Sequence, residues 1–301
     1  MPCRACGHEL PDAELDAYAI CGACGSANYI SLASAEKDNA LYFDEVYSDS
    51  DRLPIAKRYK LFERFERIHR AFHAKEEERF RAVVDRMSQH IRSARMAVEI
   101  GFGSGHELVR HLEAGANMYG MDISHQAVTN FKESHPEFSD RVEWGDKVAF
   151  QVDVLYANAL FEHLDDPGGF LGNAGSQLPT GGLLLLRLPV ITADAVARED
   201  LDGDINFWKP CHRVLYSRRG LDALFNAHGF TITESAPLAY YGYKVMSSML
   251  RHGHMDIARV RNPFLPIAGL TAERQYFFML LEALFRTLVC SDYAIVARKV
   301  W

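Results

Sequence analysis

The sequence lacks several features that would place it in a special class of proteins. No apolar run approaches the roughly 20 residues that a membrane-spanning helix needs. The first residues, MPCRACGHEL, lack the apolar core of a signal peptide, and internal repeats and low-complexity tracts are missing as well. We therefore expect a soluble, cytoplasmic globular protein, and its 48% hydrophobic and 24% charged residues are typical of one.

Positive charge is also scarce. The 33 Lys and Arg residues are outnumbered by 40 Asp and Glu residues, so the net charge is −7. A broad phosphate-binding surface requires an excess of basic residues, and this balance therefore argues against nucleic acid as a partner. With 301 residues, the chain is long enough to bury a full core and to carry a small accessory unit.

Four of the six cysteines form two short motifs, CRAC at 3–6 and CGAC at 21–24, each followed by glycine. This spacing favours a structural zinc site, because each pair presents two thiolates to one tetrahedral metal. The predicted ligands are Cys3, Cys6, Cys21 and Cys24. A redox dithiol is the alternative, although neither pair has a βαβ context. Four protein ligands leave no position for water, so we expect the metal to hold residues 1–30 together as a zinc ribbon.

The remaining cysteines, Cys211 and Cys290, are expected to be small buried side chains rather than nucleophiles. Residues 31–93 are predicted to form a helical linker or lid. Within it, apolar residues recur every three or four positions between 57 and 91, which predicts an amphipathic helix broken near Ala74. His69 and His73 lie four residues apart in this helix, but without a third ligand nearby we interpret them as surface or packing residues.

From residue 94 onward, predicted strands alternate with helices, which indicates an α/β fold with a mainly parallel sheet covered on both faces. The strands are predicted at 96–101, 117–122, 141–144, 152–158, 182–188, 230–236 and 292–299. A long segment at 238–290 precedes the last strand and contains a helical pattern. We expect this insertion to cover the substrate side or to form the surface of a homodimer.

The most informative stretch is 98–124, where a strand, a glycine-rich turn, a helix and a second strand follow one another. Gly101, Gly103 and Gly105 lie at the strand-to-helix junction, where glycine permits positive φ and close approach to a ligand. Asp122 ends the second strand and can accept the hydroxyls of a ribose. A dinucleotide fingerprint would need glycine at position 106, and this chain has His106.

With Glu99 two residues before the first glycine, the pattern G-x-G-x-G resembles motif I of the class I methyltransferases that use S-adenosylmethionine (SAM). Further segments resemble the same family in the same order: WGDKVAF (144–150), NALFEHLDDPGGFL (158–171), LPTGGLLLLRLP (178–189) and HRVLYSRRGLDALFNAHGF (212–230). Thr180 is one departure from the family's turn. The resemblance implies a Rossmann-like seven-stranded sheet, with the order 3-2-1-4-5-7-6 and the last strand antiparallel.

The resemblance also implies the residues that bind SAM. The loop from Glu99 to Gly105 would hold the methionine portion, Asp122 the ribose and Asp146 the adenine, while Asn158 would lie near the sulfonium. The complete predicted set is Glu99, Gly101, Phe102, Gly103, Gly105, Asp122, Ile123, Asp146, Lys147, Asn158 and Ala159.

Methyl transfer also requires an acceptor that loses its proton when it is an alcohol or an amine, so a general base is expected near the acceptor. His163, which follows the fourth strand, and His212, in the loop after the fifth, are the candidates. For His163 a structural hydrogen-bonding role is the alternative. The aromatic candidates to line an acceptor pocket, with simple packing as the alternative, are Phe207, Trp208, Tyr240, Tyr241 and Tyr243. The aromatic candidates to close over the cofactor are Tyr42, Phe43 and Tyr47.

These patterns lead to one main hypothesis and two others. The main hypothesis is transfer of a methyl group from SAM to a small-molecule acceptor, such as a sugar, a nucleotide-linked sugar or a secondary metabolite. An RNA-base methyltransferase with an N-terminal zinc unit is the second hypothesis, and the acidic net charge weighs against it. The third is a catalytically silent SAM-binding scaffold. The choice among O-, N- and C-methylation stays open.

Overall fold

The computed structural model describes residues 1–13, 17–30, 74–146, 150–191, 212–238 and 290–301. Several sequence-based predictions lie outside these residues. They concern the helix before Ala74, His69, His73, Lys147, Cys211, the aromatic residues at 42–47, 207–208 and 240–243, the insertion at 239–289 and the side chain of Cys290.

The described residues form ten strands and five α-helices. The strands are β1 (Ala17–Ile20), β2 (Ala27–Ile30), β3 (Ala97–Ile100), β4 (Met118–Asp122), β5 (Val142–Trp144), β6 (Val154–Asn158), β7 (Leu183–Ile191), β8 (Val214–Ser217), β9 (Phe230–Pro237) and β10 (Cys290–Lys299). The helices are α1 (Ala74–Ser93), α2 (His106–Glu113), α3 (His125–Ser134), α4 (Pro167–Gln177) and α5 (Arg218–Ala227), and short 3-10 helices span Pro136–Arg141 and Phe161–His163. None of the described helices is long and apolar enough to cross a membrane.

The seven predicted strands form one sheet in the order β5-β4-β3-β6-β7-β10-β9. Strands β5, β4, β3, β6 and β7 are parallel neighbours, whereas β10 is antiparallel to both β7 and β9. This arrangement confirms the Rossmann-like fold class and the strand order that the family resemblance implies.

Helices cover both faces of this sheet because its strands are apolar on both sides. One face packs against α4 and α5 through residues such as Leu171 and Phe225. The other face packs against α1, α2 and α3 through residues such as Met87, Leu108 and Phe131. Because β3, β4, β5 and β6 are parallel, their carboxyl ends lie along one edge of the sheet, where ligands bind in open α/β folds.

The N-terminal hairpin joins the sheet through a strand that the sequence did not predict. Strand β8 pairs with Val190 and Ile191, beyond the residues of β7 that pair with β6. Strand β2 pairs antiparallel with β8, and β1 pairs with β2. The cysteine-containing segment is thus attached to the seven-stranded sheet by backbone hydrogen bonds. The predicted division of the chain at residues 30 and 93 stays a prediction.

Candidate functional site

The glycine turn after β3 has the backbone geometry that its sequence predicts. Gly101, Gly103 and Gly105 have φ values of 71°, 54° and 75°, in the left-handed region that favours glycine. A Cβ atom on Gly105 would lie 2.4 Å from the Phe131 ring, so the position also has no room for a side chain. The turn thus places closely packed backbone at the amino end of α2, with Ser104 exposed between two buried glycines.

Asp122 fastens this turn to the end of β4. Its carboxylate is buried and accepts hydrogen bonds from the backbone N–H of Gly103 and of Ser124, each at 2.8 Å. Charge-assisted bonds of this kind are stronger than neutral ones. Asp122 therefore fixes the loop shape and places a negative charge at the carboxyl edge of the sheet.

Glu99 lies in β3 directly behind the turn and is only 2% exposed. Its Oε2 atom has no hydrogen-bond partner. Burial raises the pKa of Glu99 well above its ordinary value, and the nearby carboxylates of Glu107 and Asp122 raise this pKa further, while Arg110 opposes them. A cationic ligand group beside this carboxyl would favour its ionised form.

Two exposed apolar side chains flank the next strand ends. Ile123 is 42% exposed and Trp144 is 58% exposed. The Trp144 indole N–H donates to the Ile123 carbonyl at 2.9 Å, and its ring stacks on His125 at a centroid distance of 4.5 Å. Asp146 is exposed just beyond β5. The sequence analysis missed Trp144, although an aromatic residue at the end of a predicted strand was an available signal.

Asn158 ends β6 half-buried, and the exposed Ala159 follows with a φ of 51°. Among the described residues Ala159 is the one non-glycine residue with positive φ, a conformation that costs about 1–3 kcal/mol and is common at functional sites. A Cβ atom on Gly101 would lie 3.0 Å from Leu160. The segment after β6 thus packs directly on the glycine turn. This contact brings together residues at the ends of β3 and β6 that the sequence predicts to bind SAM.

The two predicted bases also lie together, beside a glutamate that the sequence analysis missed. Glu162, His163 and His212 are all buried, and their ligand-type atoms lie within 4.8 Å of one another. The imidazole rings of His163 and His212 have a centroid distance of 4.8 Å, and His163 Nε2 lies 4.0 Å from Glu162 Oε1. Burial raises the pKa of Glu162 to about 8, and its Oε2 atom has no hydrogen-bond partner. The available signal for Glu162 was its place in the FEHL motif.

The N-terminal hairpin holds the backbone of this cluster. The Tyr18 hydroxyl donates to the His212 carbonyl at 2.7 Å, and the Tyr29 N–H donates to the Arg213 carbonyl at 2.9 Å. The Arg213 N–H in turn donates to the Glu162 carbonyl at 2.7 Å. The position of His212 therefore depends on the hairpin that the cysteine motifs support.

The four cysteines of the two motifs come together as the spacing predicts. Their sulfur atoms lie within 4.8 Å of one another, with 3.8 Å between Cys3 and Cys24 and 3.6 Å between Cys6 and Cys21. These separations are far too long for disulfides. They match a tetrahedral zinc site, in which bonds of about 2.3 Å place the sulfurs about 3.8 Å apart. Asn28 adds an amide donor 3.4 Å from the Cys3 sulfur.

Comparison with known structures agrees with this architecture. Geranyl diphosphate C-methyltransferase from Streptomyces coelicolor A3(2), in complex with Mg²⁺, geranyl diphosphate and S-adenosyl-L-homocysteine, superimposes with a TM-score of 0.54 and 15% identity, covering 88% of this chain and 98% of that chain. A candidate sarcosine dimethylglycine methyltransferase from Galdieria sulphuraria has a TM-score of 0.51 and 15% identity, and the match covers 75% of this chain and 86% of that chain. A chain from the complex of the Haloferax volcanii Trm112 methyltransferase activator with a candidate methyltransferase has a TM-score of 0.51 and 15% identity, and the match covers 86% of this chain and 98% of that chain. At these identities the likeness shows the fold.

No curated protein sequence matches the chain significantly. The sequence model of the family Methyltransf_23, described as a methyltransferase domain, matches residues 72–235. This match covers more than half of the chain and includes the glycine turn, Asp122 and the Glu162–His163–His212 cluster. The chain therefore belongs to this methyltransferase family and is a class I enzyme that depends on SAM.

Proposed function

We propose that this enzyme transfers the methyl group of SAM to a small-molecule acceptor, such as a sugar, a nucleotide-linked sugar or a secondary metabolite. The observation that supports this most is the juxtaposition of two buried polar groups at one edge of the sheet. The glycine turn with Glu99 and Asp122 lies on one side, and the Glu162–His163–His212 cluster follows β6 on the other. Leu160, packed against Gly101, connects them.

On the donor side, the residues fit the chemistry of SAM. Its ammonium and sulfonium groups are cationic, which suits the buried carboxyl of Glu99. The Asp122 carboxylate would accept the ribose hydroxyls, and the exposed side chains of Ile123 and Trp144 would offer an apolar surface beside Asp146 for the adenine. Asn158 and Ala159, at the end of β6, would face the sulfonium. When bound, SAM supplies an electrophilic methyl group.

On the acceptor side, the chain must orient the attacking atom and take up its proton. His163 and His212 are the proposed bases, and their burial beside the end of β6 supports this role. The net charge of −7 favours a small acceptor over RNA. Geranyl diphosphate C-methyltransferase, a structural neighbour, was crystallised with a small-molecule ligand of this kind. A homodimer formed through residues 238–290 and a cytoplasmic location belong to the same proposal.

We also propose that Cys3, Cys6, Cys21 and Cys24 hold a structural zinc ion. Four thiolate ligands close the coordination shell, so the metal would stabilise the hairpin and take no part in chemistry. Through Tyr18 the hairpin would then support the position of His212.

The donor assignment is tested by Asp122→Ala, which removes the acceptor of the Gly103 and Ser124 hydrogen bonds. The two ribose hydroxyls would also lose their charged acceptor, and loss of two such bonds of about 1.5–3 kcal/mol each is expected to weaken SAM binding by about 100-fold or more in isothermal calorimetry. Asp140→Ala, which removes a carboxylate from the 3-10 helix before β5, is the control and should keep the affinity. An unchanged affinity of Asp122→Ala would refute the donor site.

The zinc assignment is tested by metal analysis of the purified chain, which should contain about one zinc with thiolate coordination. Cys21→Ser is expected to lose this zinc and more than about 4 kcal/mol of unfolding free energy, because the hairpin is packed into the core. Cys211→Ser, outside both motifs, should keep the zinc. A folded chain without metal would overturn the assignment.

A further inference from the structure

The cluster of Glu162, His163 and His212 has a property that proton transfer alone does not explain. Glu162 is 1% exposed, and its Oε2 atom has no hydrogen-bond partner. Buried carboxylate oxygens are normally hydrogen-bonded or bound to a metal, because an unpaired one costs free energy. A carboxylate can also orient a histidine base, but the buried Oε2 atom then stays without a partner, whereas a bound cation would provide one.

We propose that Glu162, His163 and His212 form a binding site for a divalent transition-metal cation, which in turn binds a hydroxyl group of the acceptor. The proposal rests on the proposed function and narrows its acceptor to a hydroxyl compound. Two imidazoles and one carboxylate are ligands that manganese, iron and zinc ions accept. Three protein ligands leave coordination positions open, in contrast to the closed set of four cysteines.

The geometry is compatible with a metal after small side-chain movements. Ligand atoms at about 2.0–2.2 Å from a metal lie about 3.0–3.5 Å apart, and the atoms of the three side chains lie within 4.8 Å. Binding would thus draw them together by about an ångström. The backbone need not move, because hydrogen bonds already hold the His212 carbonyl and the Glu162 carbonyl.

The buried guanidinium of Arg213, the residue after His212, has its own partners. Arg213 Nε lies 3.3 Å from the Asp165 carboxylate, and its guanidinium lies over the Tyr29 ring at 5.9 Å. The arginine is therefore paired on the hairpin side, while His212 faces His163. A cation among the three ligands would add its charge next to Glu162.

A metal here would do the work assigned above to a base. It lowers the pKa of a bound hydroxyl, so the acceptor oxygen becomes a nucleophile near neutral pH. In the transfer the oxygen–carbon bond forms and the sulfur–carbon bond breaks, with its electron pair remaining on sulfur. The hydroxyl proton passes to solvent. In this role His163 and His212 are ligands, and the reaction is an O-methylation.

The test uses the full chain with zinc in its cysteine site and Mn²⁺ alone as the probe, because Mn²⁺ prefers oxygen and nitrogen to thiolate. Electron paramagnetic resonance of free Mn²⁺ should show about one bound ion per chain, and spin-echo modulation should reveal imidazole nitrogen at that ion. Failure to bind Mn²⁺, or bound Mn²⁺ without nitrogen coupling, would overturn the proposal. This measurement needs no variant, so it decides even if the variants fail to fold.

Variants then identify the ligands. Glu162→Gln, His163→Gln and His212→Gln are each expected to weaken Mn²⁺ binding by at least tenfold, about the smallest loss seen for groups that support a metal. Glu137→Gln and His135→Gln make the same changes at a pair outside the cluster and should keep the affinity. Equal Mn²⁺ affinity in all five variants would contradict the site.

Calorimetry with SAM separates this proposal from the proposed function. If the chain binds SAM but shows no nitrogen-coupled Mn²⁺, only the metal-site proposal is refuted. If the chain binds nitrogen-coupled Mn²⁺ but not SAM, the metal-site proposal stands and the proposed SAM site is refuted.

Discussion

Glu99 and Glu162 are buried glutamates associated with neighbouring strands, and their surroundings differ. Glu99 lies in β3, and Glu162 follows β6, which pairs with β3. Each has an Oε2 atom without a hydrogen-bond partner, and burial raises the pKa of both carboxyls. Glu99 has the carboxylates of Glu107 and Asp122 nearby, whereas Glu162 has two imidazoles beside it and one carboxylate, Asp292, that raises its pKa further. We therefore propose different ligands for the two glutamates, an organic cation for Glu99 and a metal ion for Glu162.

Replacing each carboxyl by an amide tests whether the two glutamates serve different ligands. Glu99→Gln is expected to weaken SAM binding about thirtyfold, since loss of one partner of a buried charge pair costs about 2 kcal/mol or more. Its Mn²⁺ affinity should stay within about twofold. Glu162→Gln should show the opposite pattern, with weakened Mn²⁺ binding and SAM affinity within about twofold.

The control for these variants is Glu113→Gln, at an exposed position at the end of α2. Calorimetry with SAM and resonance titration with Mn²⁺ should give values like those of the unmodified chain. If Glu99→Gln and Glu162→Gln affected both ligands equally, the two carboxyls would not have separate roles.

The pH dependence of the unfolding free energy tests whether Glu99 stays protonated in the folded state. Because the folded pKa of Glu99 lies above its unfolded value, the folded state retains a proton that the unfolded state releases. Stability should therefore fall as the pH rises from about 4.5 towards the folded pKa, by at most about 1.4 kcal/mol per pH unit from this group. Glu99→Gln cannot ionise and should lose this part of the slope.

Urea unfolding of the ligand-free chain at several pH values between about 5 and 7 measures the slope. Glu113→Gln should keep the slope of the unmodified chain. A difference between Glu99→Gln and the unmodified chain that does not change with pH would show that Glu99 ionises normally in the folded state.

A smaller effect is expected from Tyr18→Phe, which removes the hydroxyl that donates to the His212 carbonyl. Loss of one buried hydrogen bond should cost about 1 kcal/mol of unfolding free energy. Mn²⁺ affinity should fall a few-fold while the zinc content is kept. Tyr119→Phe makes the same change in β4, away from the hairpin, and should leave Mn²⁺ affinity unchanged. An unchanged Mn²⁺ affinity of Tyr18→Phe would show that the hairpin does not position His212.

The parts of the molecule that could be predicted from the sequence are those encoded locally. The glycine turn and Asp122 lie within one strand–helix–strand unit, where spacing fixes which groups share an edge. The two cysteine motifs likewise specify their own geometry. The strand order followed from the family resemblance, which extends beyond any local pattern.

The parts that could not be predicted depend on distant contacts. Strand β8 has four residues, and its partner β2 lies far away near the N-terminus, so neither its length nor its pattern identified it. The FEHL motif contains Glu162, but only the fold shows that His212 lies beside it. Trp144 is conspicuous because it remains exposed, a property that its apolar character does not reveal.

The most direct test of the account is a crystal structure of the full chain with S-adenosylhomocysteine. The account predicts that the ribose hydroxyls contact Asp122, that the amino acid portion lies over the glycine turn beside Glu99, and that the sulfur points towards Glu162, His163 and His212. A ligand bound elsewhere, or one whose sulfur faces away from these three side chains, would contradict it.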